Sequence, residues 1–379
     1  MRAEPRVPEA ALAAIRAPFA GAGVVAVDPP ILQPLGALLD VAGEALRARL
    51  FVVQAEGGAE ACLRPDFTAA IARLHIESGA REGRYYYEGP AFRAAPAGSE
   101  RAEEFLQVGL EVYGEAGGPT VAADAEIAAL SWRAAAAGGR DDLTLWLGDV
   151  ALFGAFVDAL DLEPALAERL KRAAARPRLM QAELARAGGA ADTGAEGGQL
   201  AATLAGLSTD QAAQLLEEVW ALAGVERVGG RGAAEIAQRL IRRAQDARAP
   251  ALSAAQADAV RAFLKVEDAP AGALETLQRI APASAGFAAA IAGWRERLDL
   301  MTAAGVPVGA MRFAASLGYA FEYYDGLTLE VRSAALGGGR PLAAGGRYDG
   351  LPARLGGAKA ACAVGAMVRP WRAFAGGEA

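Results

Sequence analysis

The chain has few residues of the types that build metal centres. Its 379 residues include one histidine, His75, and two cysteines, Cys62 and Cys362. A single histidine excludes a multi-histidine metal site, and a lone histidine in a helical pattern predicts a structural role. The two cysteines form no ligand cluster, and unpaired thiols are typical of the cytoplasm. We therefore expect no metal, no cofactor and a cytoplasmic location.

Positive charge and long apolar runs are also scarce. Lysine occurs only three times, the net charge is −7, and no basic stripe is visible, so nucleic acid is not an expected partner. No apolar run reaches the roughly 18 residues of a membrane span. The apolar stretch 10–27 contains Arg16 and leads into Asp28-Pro29-Pro30 instead of a small-residue cleavage site, which is unlike a secretory signal.

Hydrophobic periodicity predicts an α+β protein. Helices are predicted at 7–20, 33–49, 67–78, 122–137 and 370–374, and strands at 50–53, 61–64, 84–88, 105–113, 143–147, 308–314, 322–333 and 360–365. The polar loop from Ala94 to Glu103 joins two of these strands and predicts a hairpin. Ala/Leu/Arg helical periodicity dominates the middle of the chain, and we interpret about 155–285 as a helical insertion that carries no chemical motif.

The strand 105–113 carries a polar strip. Alternation places Gln107, Gly109 and Glu111 on one face, where the glycine would leave space for a ligand. Burying Gln107 and Glu111 is costly unless they meet partners or a ligand. A solvent-facing strand with outward polar residues remains an alternative.

Three further motifs are individually weak. Asp66 and Thr68 follow Pro65 at the start of a predicted helix, where both residue types often serve as N-caps. Tyr324 belongs to the string Glu-Tyr-Tyr-Asp-Gly at 322–326. Tyr348 belongs to Gly-Gly-Arg-Tyr-Asp-Gly at 345–350, which could be only a glycine-bounded turn.

In this order, the motifs resemble the core of class II aminoacyl-tRNA synthetases, specifically the histidyl branch. Segment 28–35 resembles motif 1, the dimer-forming element, and 89–114 resembles motif 2. Segments 63–68, 322–325 and 344–351 resemble the histidine-recognition segments, and 361–369 resembles an altered motif 3. The resemblance implies a single synthetase-like domain over 1–379. Its antiparallel sheet is flanked by helices, with a core at about 1–154 and 286–379. Only ten residues follow Arg369, so no anticodon-binding domain is expected.

The resemblance also implies roles for single residues. Asp66 would bind the α-amino group of histidine, supported by Thr68 and Gln107. Three further residues would surround the imidazole ring: Glu111, Tyr324 and Tyr348. Arg93 stands at the arginine that grips the α-phosphate of ATP and is a candidate anion contact.

Departures from the synthetase pattern fall on the side that uses ATP. Ala95 replaces a motif 2 glutamate, and Tyr319 replaces an arginine aimed at the reacting phosphate. Val368 stands where motif 3 has its arginine, with Arg369 one place later. Loss of one such donor typically raises the barrier by about 3–4 kcal/mol. Three losses together predict that amino-acid activation is absent.

A chain that retains the histidine-recognition segments but lacks the ATP chemistry is similar to a family of synthetase paralogues, the regulatory subunits of ATP phosphoribosyltransferase. This resemblance implies a non-catalytic protein that dimerises through motif 1 and joins a short-form catalytic subunit. The complex would perform the first step of histidine biosynthesis, with L-histidine as effector. An active histidyl-tRNA synthetase of unusual form, or a vestigial scaffold that binds no ligand, are the alternatives.

Overall fold

The computed structural model describes residues 2–21, 23–54, 60–115, 120–174, 176–187, 207–222, 236–238, 241, 250–318, 323–357 and 361–377. Within these ranges no helix has both the length and the apolar character needed to cross a membrane. The chain divides into two compact units. One consists of Met1–Ala159 and Ala262–Ala379, and the other is Leu160–Arg261.

The second unit is shorter at both ends than the insertion predicted at about 155–285. Its described helices are α6 (Pro164–Ala174), α7 (Pro177–Ala185) and α8 (Thr209–Leu222), and α9 (Ala254–Leu264) spans the boundary. A largely buried ion pair between Arg169 and Glu183, at 2.9 Å, joins α6 to α7. Residues 262–285 belong to the first unit, because apolar residues such as Leu274 and Leu277 are buried there.

The first unit is built on a large mixed sheet. Its described strands are β1 (Val25–Ala26), β5 (Gly83–Phe92), β6 (Glu104–Glu115), β7 (Leu143–Asp149), β8 (Glu267–Asp268), β9 (Met311–Ala314), β10 (Leu327–Ser333), β11 (Ala343–Arg347) and β12 (Ala361–Val368). Their order is β1-β5-β6-β12-β11-β10-β7-β9-β8. The run from β5 to β7 is antiparallel throughout, and only β1 with β5 and β7 with β9 pair in parallel.

A second, small sheet lies near the N-terminus of the same unit. It contains β2 (Leu32–Pro34), β3 (Val52–Gln54) and β4 (Glu60–Leu63), with β4 in the centre. Cys62 of β4 is fully buried, and its burial raises the pKa of its thiol to about 11.

The described helices of the first unit are α1 (Glu9–Arg16), α2 (Leu35–Ala42), α3 (Thr68–Ser78), α4 (Thr120–Ala136), α5 (Val150–Ala159), α10 (Pro270–Ile280), α11 (Ala285–Ala303), α12 (Gly350–Arg354) and α13 (Pro370–Ala373). Helix α4 packs against β11 and β12. There the fully buried carboxylate of Asp124 accepts hydrogen bonds from Arg297 at 2.7 Å and from Arg347 at 2.8 Å. This buried network fixes β11, which leads directly into Tyr348.

Two predicted elements differ from the structure for local reasons. The helix predicted at 33–49 is interrupted at Gly43, whose φ of +83° ends α2, and a 3₁₀ turn at Glu44–Arg49 follows. The corner predicted around Gly345 and Gly346 begins as strand β11. A side chain at either position would overlap the backbone of a neighbouring strand, so the glycines serve close strand packing.

Candidate functional site

The predicted polar strip lies on one face of β6, between β5 and β12. Gln107 is opposite Gly89, Gly109 is opposite Tyr87, and Glu111 is opposite both Tyr85 and Gly365. The predicted hairpin is therefore confirmed, and the structure adds the register in which its strands pair. Both polar side chains are buried, so the solvent-facing alternative is excluded.

Glu111 is the centre of the site and is only 1% exposed. Its Oε1 accepts hydrogen bonds from the Thr68 hydroxyl at 2.8 Å and from the Tyr87 hydroxyl at 3.3 Å, and its Oε2 accepts one from the Tyr348 hydroxyl. Gly365 provides the space for this carboxylate, because a β-carbon there would overlap Oε2.

Burial raises the pKa of Glu111 to about 7. The hydroxyl donors Tyr348 and Thr68 oppose this shift, because they stabilise the carboxylate, and the negative charge of Asp66 adds to it. The group is therefore close to half-protonated at neutral pH, which makes its charge sensitive to whatever binds beside it.

Asp66 lies at the start of α3 and is largely buried. Its carboxylate lies near the backbone N–H groups of Thr68 and Ala69 in the first turn. Arg93 lies 3.8 Å from its carboxylate and donates from Nε to the carbonyl of Pro65 at 2.9 Å. Burial raises the pKa of Asp66, and Arg93 and the backbone donors lower it.

Gln107 has no hydrogen-bond partner in the described part of the chain. Its side chain is fully buried, and neither the amide oxygen nor the amide nitrogen is satisfied there. Such a group typically costs about 1–3 kcal/mol. A ligand that both donates and accepts, as an α-amino acid does, would satisfy both atoms.

Tyr324 and Tyr348 approach the same place from different segments. Their ring centroids are 6.5 Å apart, and a β-carbon at Gly346 would lie 2.8 Å from the Tyr324 ring. Burial raises the pKa of the Tyr324 hydroxyl, and the negative charges of Glu111 and Asp66 raise it further. The structure thus brings five of the predicted residues together: Asp66, Thr68, Glu111, Tyr324 and Tyr348. The sixth, Gln107, lies on the same face of β6 as Glu111.

Asp325 joins the two tyrosine segments. Its carboxylate accepts hydrogen bonds from the backbone N–H of Asp349 at 3.0 Å and of Gly350 at 2.7 Å, and its own N–H donates to the Arg347 carbonyl at 3.0 Å. These bonds connect the residue after Tyr324 to the turn after Tyr348 and so hold the two tyrosine segments together.

The sequence prediction missed Tyr87 as a member of the site, although it gave the strand correctly. Tyr87 donates to Glu111 and stacks on Phe67, with ring centroids 4.4 Å apart. It also corrects one expectation. The space beside Gly109 is filled by the Tyr87 hydroxyl and the Ala366 carbonyl. The signal was present in the register, since the residue opposite Gly109 must share its face.

Tyr323 is a second residue near the site that the sequence did not single out. It is buried, and the centroid of its ring lies 4.7 Å from that of the Tyr324 ring and 6.0 Å from that of the Tyr348 ring. Burial and the nearby charges of Tyr324 and Asp66 raise the pKa of its hydroxyl.

On the side assigned to ATP, Arg369 is committed to internal partners. It is buried, hydrogen-bonded to Glu4, and its guanidinium lies 3.7 Å from the centroid of the Phe105 ring. Burial and the positive charge of Arg372 together lower its pKa to about 9. Tyr319 lies outside the described residues.

His75 has the structural role that its isolation predicted. It is buried, and its Nδ1 lies 2.9 Å from the Tyr85 hydroxyl. Its ring stacks on that of Tyr113, with the ring centroids 4.3 Å apart. Burial lowers its pKa. Among the described residues no group of His, Cys, Asp or Glu has the arrangement of a metal site.

Known proteins match this chain over most of its length. The histidyl-tRNA synthetase family matches residues 3–249 and 230–370. A Mesorhizobium japonicum protein described as an ATP phosphoribosyltransferase regulatory subunit is 37% identical over 361 residues, which cover 92% of each chain. A Brucella anthropi protein of the same description is 35% identical over 336 residues, 87% of each chain.

Solved structures show the same fold at lower identity. An ATP phosphoribosyltransferase regulatory subunit/histidyl-tRNA synthetase from Bacillus halodurans matches with a TM-score of 0.64 and 20% identity, over 97% of this chain and 77% of that one. A histidine–tRNA ligase subunit from Alicyclobacillus acidocaldarius matches with a TM-score of 0.55 and 23% identity, over 97% and 91%. The predicted α+β class II synthetase-like fold is confirmed. The chain belongs to the family of ATP phosphoribosyltransferase regulatory subunits, which is built on the histidyl-tRNA synthetase fold.

Proposed function

We propose that this chain is the non-catalytic regulatory subunit of ATP phosphoribosyltransferase and binds L-histidine as its effector. It would join a short-form catalytic subunit in the cytoplasm and support the first step of histidine biosynthesis. The names of its relatives support the regulatory role. The observation that supports a ligand is Gln107, a fully buried amide without a described partner, on the same face of β6 as the buried carboxylate of Glu111.

Each part of histidine has a chemically suitable partner in the cluster. The α-ammonium group is a cation, and Asp66 with Gln107 Oε1 can accept its hydrogen bonds. The imidazole ring carries N–H groups, and Glu111 can accept from one of them, with Tyr324 and Tyr348 beside it. Gln107 Nε2 can donate to the α-carboxylate. Apolar amino acids would leave these groups unpaired and be rejected.

Loss of amino-acid activation is part of the proposal. The reaction needs fixed cations around the transferred group. Ala95 and Val368 supply none, Arg369 is paired with Glu4, and Arg93 faces Asp66. Histidine-dependent exchange of pyrophosphate into ATP is therefore expected to be undetectable at high protein concentration, and measurable exchange would support the synthetase alternative.

An exposed apolar face in the motif 1 region supports the proposed self-association as a dimer. The outer face of the small sheet carries Leu32, 53% exposed, and Val53, 39% exposed, with the half-buried Ala61 and Leu63 between them. Exposed apolar patches on soluble proteins commonly mark interaction sites. A second copy is the proposed occupant, because one patch can pair with itself across a two-fold axis.

Co-purification tests the assignment to the complex. The chain and a short-form catalytic subunit are produced together, and ATP phosphoribosyltransferase activity is measured for the catalytic subunit alone and for the mixture. We expect a stable complex with increased activity. Separate elution and unchanged activity would contradict the regulatory role. Calorimetry with L-histidine separates an occupied pocket from the vestigial scaffold, which would give no binding heat.

A further inference from the structure

The described residues around Glu111 supply hydroxyl donors but no counter-ion. Thr68, Tyr87 and Tyr348 direct three hydroxyls at the carboxylate. In the described part of the chain, no arginine, lysine or histidine forms an ion pair with Glu111. The charged group with a marked effect on it is Asp66, which is also negative. The ionised site therefore contains a buried charge that lacks a cation.

The other groups that face Glu111 do not change this balance. Five phenols of the described residues surround the site, and burial raises the pKa of each, so they are neutral near pH 7: Tyr87, Tyr113, Tyr323, Tyr324 and Tyr348. Two cations, Arg93 and Arg49, act on Asp66: Arg93 lies 3.8 Å from its carboxylate, and both lower its pKa. Positive charge for Glu111 must therefore come from a proton or from the ligand.

We propose that the pocket binds an amino acid whose ring shares a single proton with Glu111, so that the complex contains one protonated ring–carboxylate pair. The inference rests on the proposed histidine binding and adds the charge state that the site selects. Without the proton, Glu111 would remain a buried anion beside Asp66. With two protons, the ring would be a buried cation without a carboxylate partner. Both states are costly in a dry pocket.

The shared proton predicts how affinity depends on pH. The free ring has a pKa of about 6.5, and burial raises the pKa of Glu111 to about 7. Above pH 7 the free partners together hold less than one proton, so binding takes protons up and affinity falls. Below pH 6.5 they hold more than one, so binding releases protons and affinity falls again. Each limb approaches about tenfold per pH unit.

Calorimetric titration of the full chain with L-histidine from pH 5.5 to 8.5 tests this directly. We expect a maximum of affinity between about pH 6.5 and 7 and, at pH 8.5, uptake of about one proton, read from two buffers with different ionisation enthalpies. Affinity that rises to a plateau above pH 7 without proton uptake would overturn the shared proton and leave histidine binding intact. Absence of binding heat at every pH would remove the proposed function itself.

Two matched comparisons identify the groups that hold the proton. Triazolylalanine has a similar ring of much lower basicity. Its affinity should therefore no longer fall at acid pH but should still fall at alkaline pH. Glu111→Gln should bind more weakly and lose the alkaline limb, because an amide cannot take up the proton. Glu77→Gln, at an exposed position on α3, should keep both limbs. An alkaline limb that persists in Glu111→Gln would contradict the role given to Glu111.

Discussion

Gly365 is the residue on which the position of Glu111 depends most directly. A β-carbon there would overlap the carboxylate and lie 2.9 Å from the Leu110 carbonyl. We expect Gly365→Ala to lower the free energy of unfolding by about 1–3 kcal/mol, as overpacking typically does, and to weaken histidine binding. Urea denaturation and calorimetry measure the two effects.

The control for this substitution is Gly154→Ala within α5, where an added β-carbon meets no atom within 4 Å. Alanine should stabilise that helix by about 0.5–1 kcal/mol. If Gly365→Ala were as stable as Gly154→Ala and bound histidine normally, the close packing of the Glu111 carboxylate against Gly365 would be refuted.

Gln107 illustrates a residue kept at a cost to stability. Replacing it with methionine removes two unsatisfied buried polar atoms at similar volume. We expect Gln107→Met to be as stable as the wild type or more so, by up to about 1–3 kcal/mol. Histidine affinity should fall at least about tenfold, since the hydrogen bonds to a charged ligand are lost. Thermal unfolding and calorimetry provide the measurements.

Gln33 is the matched control, because its Nε2 donates to the Pro30 carbonyl at 2.6 Å. Gln33→Met should lose about 1 kcal/mol and retain full histidine affinity. A destabilised Gln107→Met with unchanged affinity would show that the amide has a structural partner and no ligand.

Glu111 should make the free protein less stable as pH rises. Its pKa is about 4.3 when unfolded and about 7 when folded, so the folded state binds more protons between these values. Stability is therefore lost from about pH 4.3 to 7, on the order of 3 kcal/mol in total. Relative to the wild type, Glu111→Gln should gain stability between pH 5 and pH 8 in urea denaturation. An equal pH dependence in both proteins would contradict the raised pKa.

At the scale of elements, the sequence predicted the strands of the site well and its internal contacts less well. Alternation placed Gln107 and Glu111 on one face, and the polar loop at 94–103 predicted the hairpin. Spacing alone could not show that Tyr87 fills the place beside Gly109, because that depends on the cross-strand register. The Asp325 bonds to the turn after Tyr348 were equally hidden, since they join segments that are distant along the chain.

The small sheet offers a test of self-association. Replacing Leu32 and Val53 with aspartate places charges on the exposed apolar face, where a dimer interface would bury them without partners. Sedimentation velocity should show a dimer for the wild type and a monomer for this double variant. The control introduces aspartate in the same way at Leu300 and Val308, which are also exposed but lie elsewhere in the first unit. A dimer that persists in the Leu32/Val53 variant would place the interface on another surface.

At the scale of the whole molecule, the class II fold brings Thr68, Tyr87 and Tyr348 onto the carboxylate of Glu111, while Arg369 pairs with Glu4. The motifs predicted the family, because their order along the chain is specific even where each motif is weak. They could not predict the bounds of the second unit, since Ala/Leu periodicity is similar on both sides of Arg261. They also could not show that Arg369 pairs with Glu4, a contact between opposite ends of the chain.

The proposed regulation requires that L-histidine act on the catalytic subunit through the residues around Gln107 and Glu111. The most direct measurement is ATP phosphoribosyltransferase activity of the reconstituted complex against L-histidine concentration, with wild-type chain and with Gln107→Met. We predict that both chains support the activity, and that Gln107→Met shifts inhibition to at least about tenfold higher histidine, in line with its lost hydrogen bonds. Identical inhibition curves for the two complexes would contradict the account.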